Sequence, residues 1–369
     1  MAGQNTKTTI LIDKKEYFAV DIFRLIFAIG IVALHLSPLE DICGICNYFL
    51  INVITRIGVP FFFLVSGFFL YKKIYDYDKV KMYINKLMKQ YLIYTFIYMP
   101  QILYVRIKSG GSILKNILGF IRNFFFIGSY VQLWYFVGLI IATVLLYFLV
   151  NKSGLSDKAL LIIIIVLYII GTIFDAYILP DKFETCIQTK GTFFYFVHFV
   201  VWVYMNIFVT TRNGIFFGLP YLFFGYLIAK NKKRILKKSY LVMFMISFFL
   251  MLLEVLVVVK LFGNLNGQNM LFSLLPTALF FFLFILFIDW SNLYNCNRIA
   301  KHCRSLSAIY FGWHLFIDFY VNGFFKYILH IKLHSLLQFV IVLLLNYILG
   351  EILIYISNKS QFKWVRCFY

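Results

Sequence analysis

The stretch Asp21-Ile-Phe-Arg24-Leu-Ile-Phe-Ala-Ile-Gly-Ile-Val-Ala-Leu-His35 sets three ionisable side chains in an otherwise apolar run. A charge inside hydrocarbon costs several kcal/mol unless it is paired or reaches water, so these three need a reason to be there. At about 100° per residue, Arg24 and His35 fall on nearly one helix face, and Asp21 lies within about 40° of His35. The helical rise sets His35 roughly 16 Å along the axis from Arg24. One stripe therefore carries a shallow acid–base pair and a deep imidazole, which is how the wall of a membrane-embedded site reads.

The rest of the chain has the same character. Of 369 residues, 62% are hydrophobic and 14% are charged, and the mean hydropathy is +0.86. That profile excludes a soluble globular protein and predicts an all-α, polytopic membrane bundle. The formal charge of +20 sits in short loops between apolar runs. This is the positive-inside pattern with attraction to anionic lipid, and it predicts a bilayer partner and no nucleic acid. Six cysteines show no zinc spacing, and no metal site is expected. Cys43-Gly-Ile-Cys46 lies in a membrane loop rather than a thioredoxin-like unit, and reads as incidental thiols.

Apolar runs cover about Phe18–Leu36, Phe49–Tyr71, Leu92–Ile107, Leu133–Val150, Leu160–Ile178, Phe193–Val209, Ile215–Ala229, Tyr240–Phe262, Met270–Trp290, Ala308–Phe325 and Leu336–Ile356. Residues 1–17 read as a cytoplasmic tail without a cleavage signal, 18–357 as the transmembrane domain and 358–369 as a second cytoplasmic tail. Lysine and arginine at 72–89, 230–238, 298–304 and 359–366 place those loops and both termini inside. An even number of crossings must separate the loops at 72–90 and 230–238. Ile113–Ile127, with Lys115 and Arg122, reads as interfacial, and 212–229, interrupted by Gly218 and Pro220, as partly re-entrant. About ten spans result.

His35 is the leading chemical candidate. Imidazole can take a proton from a hydroxyl near neutral pH, and the alternative is a histidine merely satisfied by a neighbouring helix. Asp21 and Arg24, three apart, can pair with each other, or Arg24 can take a substrate carboxylate or phosphate. Ser66 next to Gly67 either permits close helix packing or lines the site. Lys86 and Lys89 either hold the phosphates of an acyl donor or anchor to lipid headgroups. Trp134 and Tyr135 open a helix where an aromatic belt belongs. Glu254 is an intramembrane acid without an evident partner, hence a functional candidate. His198 and Trp202 share a face, and Tyr310 and His314 stand one turn apart. No P-loop, Rossmann fingerprint, H-E-x-x-H motif or lysine site for pyridoxal phosphate is present.

Arg24-x10-His35, Val59-Pro60-Phe-Phe-Phe-Leu-Val-Ser66-Gly67, Leu133-Trp134-Tyr135 and Ser307-Ala-Ile-Tyr310-x3-His314 together resemble the acyltransferase-3 superfamily, in order along nearly the whole chain. Thr211-Arg212-Asn213-Gly214-Ile-Phe-Phe-Gly218-Leu-Pro220 resembles the membrane domain of VanT-type vancomycin-resistance serine racemases. The resemblance implies a core of about ten helices in a bacterial cell membrane. It implies His35 as catalytic base, Asp21 and Arg24 beside it, and Arg24 supporting the acyl donor. Ser66, Trp134, Tyr135, Glu254, Tyr310 and His314 are the candidates for substrate binding, and Lys86 and Lys89 for donor phosphates. Two positions depart from the superfamily pattern. Lys86-x-x-Lys89 stands for an R-x-x-R pair, and Gln132 stands where His often precedes Leu-Trp.

The resemblance also implies uptake of L-serine by the membrane half, for conversion to D-serine in peptidoglycan precursors. The alternative is O-acyl transfer from acyl-CoA to a hydroxylated acceptor, and a third reading is a mere anchor, to which intramembrane charge would be of no use. The chain ends at Tyr369 without the racemase half, bearing pyridoxal phosphate, that the resemblance implies. It reads either as the membrane domain of a longer protein or as a stand-alone relative; a racemase domain and a second copy in a homodimer are the candidate partners. No cofactor is expected in this chain, with acyl-CoA as the candidate co-substrate.

Overall fold

The structure is a computed structural model that describes residues 17–110, 112–177, 199, 202–232, 239–262, 269–288 and 295–369. Residues 1–16 of the expected 1–17 tail, His198, much of the expected 193–209 span and the basic run at 233–238 lie outside the described residues. Every regular element among the described residues is helical. Six helical segments are long and apolar enough to cross a membrane: Phe18–Leu36, Gly44–Leu70, Ile113–Asn151, Asp157–Tyr177, Tyr240–Leu261 and Ser335–Ser357. Gly214–Lys230 and Leu274–Leu286 are shorter apolar helices. The protein is a multi-pass helical membrane protein. Helices such as Tyr240–Phe262 expose Leu241, Met245, Phe249, Leu256 and Val257, as a surface solvated by lipid tails must.

The chain forms two compact units. The first comprises Met1–Tyr71, Phe224–Phe249 and Leu275–Tyr369. In it α1 (Phe18–Leu36) ends where Ser37 turns left-handed and its amide caps back onto Ala33. A short α2 (Gly44–Phe49) then leads through a π turn and a 3-10 turn into α3 (Gly58–Leu70). Pro60 lacks the amide hydrogen that a regular helix needs one turn back, and the chain relaxes ahead of it. Thr55 returns its hydroxyl to the Ile51 carbonyl at 2.9 Å.

The first turn of α2 brings the Cα atoms of Cys43 and Cys46 to 5.2 Å, and the two form a disulfide. This corrects the reading of incidental thiols. A three-residue spacing that begins a helix puts both sulfurs on one side, within bridging range.

Unit 2 comprises Lys72–Phe223 and Leu250–Leu274. The expected span over 92–107 is instead two helices, α4 (Tyr77–Ile97) and α5 (Met99–Ser109), parted at Tyr98. Pro100 accounts for the break, because it has no amide to continue α4 and fits the first turn of α5. Asp76 caps α4 through the Lys79 amide.

Helix α6 (Ile113–Arg122) buries none of its residues and segregates polar from apolar side chains. Its ten residues span roughly 15 Å, about half the hydrocarbon thickness. Helix α7 (Trp134–Asn151) packs on α4. At one end of this pair Asn151 donates to the Ile74 carbonyl at 3.0 Å. At the other, Tyr91 donates to the Phe124 carbonyl at 2.7 Å and accepts the Ser129 amide at 3.0 Å. Helix α8 (Asp157–Thr172) follows.

Beyond a π turn at Gly214–Gly218 come α9 (Leu219–Lys230), α10 (Tyr240–Phe262), α11 (Leu274–Leu286), α12 (Cys296–Gly323) and α13 (Ser335–Ser357). Within unit 1, α12 packs against both α1 and α13. Ala28, Val32 and Leu36 meet Leu306, Tyr310 and Val342 in the core of this three-helix seam. The loop after α1 is tied down as well. Asp41 accepts the Ser335 amide at 2.7 Å, Ser335 donates its hydroxyl to the Pro38 carbonyl at 3.1 Å, and the amide bond holds the Asp41 carboxyl below its usual range.

At Gly225, α9 lies so close to α3 that an added Cβ would stand 2.1 Å from the Leu64 carbonyl oxygen and 2.9 Å from the Phe68 nitrogen. Backbone atoms cannot yield as a flexible side chain does. Gly225→Ala is therefore expected to cost ~1–3 kcal/mol as an overpacking change. It should lower the thermal midpoint of the detergent-solubilised protein by several degrees, and an unchanged midpoint would contradict the close approach.

Candidate functional site

Asp21 is the acceptor of a three-way ion cluster. Arg24 donates to its Oδ1 at 2.9 Å, Arg304 of α12 donates through Nε to Oδ1 at 3.0 Å, and the Arg304 Nη2 pairs with Oδ2. Asp21 itself is 4% exposed. A guanidinium fork on a carboxylate is the geometry that best offsets the desolvation of burying it. The Arg24 guanidinium also lies 5.5 Å from the centre of the Phe69 ring on α3. The cluster thus clasps the first turn of α1 to α12 at a position more than two turns into that helix.

Farther along the same two helices, the rings of His35 and His314 face each other with centroids 5.3 Å apart, tilted by 33°. Contacts at the two levels occur in the same chain order, so α1 and α12 run parallel. His314 is fully buried. Its Nδ1 lies 2.8 Å from the Tyr310 carbonyl and 3.1 Å from that of Phe311. Carbonyls only accept, so Nδ1 carries the proton and Nε2 presents a lone pair. That Nε2 has no hydrogen-bond partner among the described residues. One turn on, Asp318 accepts from Gln338 at 2.6 Å and Asn322 at 3.2 Å. The structure brings together two imidazoles that are 279 positions apart in the chain.

Other candidates on this unit are placed differently. Asp21 lies fourteen residues from His35 on α1, roughly 21 Å along the axis, so it is no partner of the imidazole. Tyr310 donates its hydroxyl to the Leu343 carbonyl at 3.1 Å and packs in the α1–α12–α13 core. Ser66 is half-buried on α3. Sequence reasoning missed Arg304 and Asp318. Arg304 was counted as one more loop charge, although its helix extends N-terminally past it. Asp318 had a visible signal, its i+4 spacing from His314.

In unit 2, Lys86 and Lys89 are exposed on α4. Trp134 lines a cavity of about 490 Å³ walled also by Ile102, Arg106, Tyr130, Phe208 and Arg212. Tyr135 does not line it and contacts Phe136. Glu254 has the partners the sequence could not display. It accepts from the Tyr177 hydroxyl at 2.6 Å, from the Phe272 and Ser273 amides at 2.7 Å each, and from the Ser273 hydroxyl. Its carboxylate caps the otherwise orphaned amides where α11 begins. This corrects the reading of an acid without a partner.

With this geometry in place, comparison with known proteins assigns the class. The acyltransferase domain family matches residues 17–355, and the chain belongs to that family. Among curated proteins, it is 26% identical to an amino-acid racemase of Enterococcus faecalis over 356 residues, covering 93% of this chain and 46% of that one. It is 31% identical to a second amino-acid racemase of the same organism, over 72% of this chain and 35% of the relative. It is 29% identical to a serine/alanine racemase of Enterococcus gallinarum, over 94% of this chain and 47% of the relative. The chain spans about half the length or less of these relatives. No solved structure matches it.

The ion cluster predicts an order of stability losses. Asp21→Ala removes the acceptor shared by two guanidinium groups, whereas Arg304→Ala leaves the Asp21–Arg24 pair in place. Removing one partner of a buried pair costs about 3–5 kcal/mol, reduced here because the Arg304 side chain is 56% exposed. Asp21→Ala is expected to lower the thermal midpoint more than Arg304→Ala, and the reverse order would contradict the clasp.

Proposed function

We propose that the chain binds L-serine within the membrane and passes it across, as the membrane half of a serine racemase system. The reading is supported by one relative named a serine/alanine racemase, which matches over 94% of this chain, and by two named amino-acid racemases. The carrying observation is the His35–His314 pair, in which His314 is fully buried and His35 half-buried. A fully buried imidazole whose Nε2 has no hydrogen-bond partner among the described residues is of no use to a tether, and it suits a site that receives a hydroxyl or a proton. Lysine and arginine at 72–89, 298–304 and 359–366 support an orientation with both termini in the cytoplasm of a bacterial cell. In that orientation His35 lies in the outer half of the bilayer and Asp21 near the inner surface. Racemisation itself belongs to a partner domain carrying pyridoxal phosphate, and D-serine destined for cell-wall precursors places the system in glycopeptide resistance.

A second reading, favoured by the same imidazole pair and by family membership, is O-acyl transfer. His35 would take the proton from an acceptor hydroxyl as that oxygen attacks the thioester carbonyl of acyl-CoA. The tetrahedral adduct would then expel coenzyme A as a thiolate, which takes the proton back from the imidazolium. Lys86 and Lys89 would hold the donor's phosphates as point charges.

One experiment separates the readings: entry of labelled L-serine into proteoliposomes, with and without acyl-CoA, for wild type and His35→Ala. The proposal expects saturable flux without acyl-CoA and a loss of at least tenfold in His35→Ala. Flux that survives His35→Ala would remove the imidazole pair from the mechanism. Absence of flux together with His35-dependent release of free thiol would replace uptake by acyl transfer.

A further inference from the structure

The cavity of unit 2 is walled by Ile102, Val105, Phe126, Ile127 and Phe208, together with two guanidinium groups, Arg106 and Arg212. Among the described residues, no carboxylate lines it. Arg106 is engaged, donating to the Asn116 carbonyl at 2.6 Å and lying over the Phe120 ring. Arg212 is held differently. Its plane lies over the Trp134 ring at 4.9 Å, and its Nη1 donates to Asn269 at 2.9 Å. Its Nε is buried and has no hydrogen-bond partner among the described residues. Asp175 attracts Arg212 electrostatically, and one oxygen of Asp175 accepts the Asn269 and Met270 amides.

The backbone around Arg212 is built to hold it there. Asn213 accepts the Ile215 amide at 2.9 Å and the Phe216 amide at 3.3 Å, and donates to the Thr210 carbonyl at 3.0 Å. Gly214 lies so near α7 that a Cβ would stand 2.6 Å from the Gly138 carbonyl. Beside the walls in sequence, Gln101 and Gln132 also bury both of their amide polar atoms without a partner among the described residues. Neither glutamine lines the cavity, whereas the Arg212 guanidinium does, and a native interior rarely leaves such a group unpaired unless water or a ligand completes it.

We propose that this cavity binds a small monocarboxylate through the guanidinium of Arg212 that lines it. A guanidinium with one edge engaged and its face stacked leaves a planar pair of donors that matches a carboxylate bidentately. The apolar walls take the remainder of the molecule, and 490 Å³ falls within the range of about 300–1,000 Å³ typical of small-molecule sites. That the carboxylate is an amino acid's rests on the proposed serine function; the site itself does not. The cavity lies at the end of the α4–α7 pair opposite the lysines at 72–89, so in the proposed orientation its ligand arrives from outside.

The test is equilibrium binding to the full-length protein in detergent, followed by tryptophan fluorescence. The probes are L-serine, L-alanine, isobutyrate and inorganic phosphate. Binding of a carboxylate probe to wild type and to the exposed control Lys158→Gln is expected, with Arg212→Gln weakening it at least tenfold and Arg212→Lys restoring part. Val105→Trp, which fills the cavity without touching the charge, should abolish binding, and it decides the matter should Arg212→Gln fail to fold. Equal binding by Arg212→Gln and wild type overturns the site while leaving a serine function standing. Isobutyrate binding that depends on Arg212, with neither amino acid bound, keeps the site and refutes the serine reading. Phosphate bound in preference to every carboxylate overturns the assignment of ligand.

Discussion

Unit 1 depends on the burial of one carboxylate. Asp21 cannot sit in a membrane helix without donors, and the donors it finds are on its own turn at Arg24 and on α12 at Arg304. Because the guanidinium fork of Arg304 accepts only a narrow range of geometries, the ion cluster fixes how far α12 can slide or turn against α1. That register carries Ala28, Val32 and Leu36 onto Leu306 and Tyr310, and farther along it sets His35 opposite His314. In hydrocarbon no hydrophobic force selects among helix pairings, so polar contacts and close packing must do so. The clasp at Asp21 and the backbone approach at Gly225 are of these two kinds.

The histidine pair gains its chemistry from what surrounds it. His314 is held in one tautomer by two backbone carbonyls, which is the device by which proteins decide which ring nitrogen stays basic. His35 is half-buried on α1. His314 thus holds an in-plane Nε2 lone pair without a hydrogen-bond partner among the described residues, beside the His35 ring in the seam between α1 and α12. Unit 2 makes a different use of charge, stacking and fastening a guanidinium at the wall of an apolar cavity. Glu254, by contrast, is spent on structure as the cap of a helix start.

Much of the fold was legible in the sequence, and the reasons are local. The expected and observed limits agree for Phe18–Leu36 and for Tyr240–Phe262, because a predominantly apolar run bounded by polar loops leaves a helix no other place to end. The break at Tyr98 was carried by Pro100 and was overlooked because hydropathy runs through it unchanged. The stripe of Asp21, Arg24 and His35 was legible as costly, but its division into a clasp and a distant imidazole was not. That division is made by Arg304 and His314, which lie 283 and 279 positions from their partners. Glu254 was misread for the same reason, its partners being contributed by residues as far off as Tyr177.

The most direct test of this account is disulfide cross-linking in native membranes between cysteines placed at His35 and His314, with the native cysteines replaced. The account predicts efficient cross-linking on mild oxidation and a clear fall in yield when Asp21→Ala is added to the same background. No cross-link, with both cysteines still reactive to a small thiol reagent, would contradict the facing histidines. A yield indifferent to Asp21→Ala would contradict the clasp that is held here to position them.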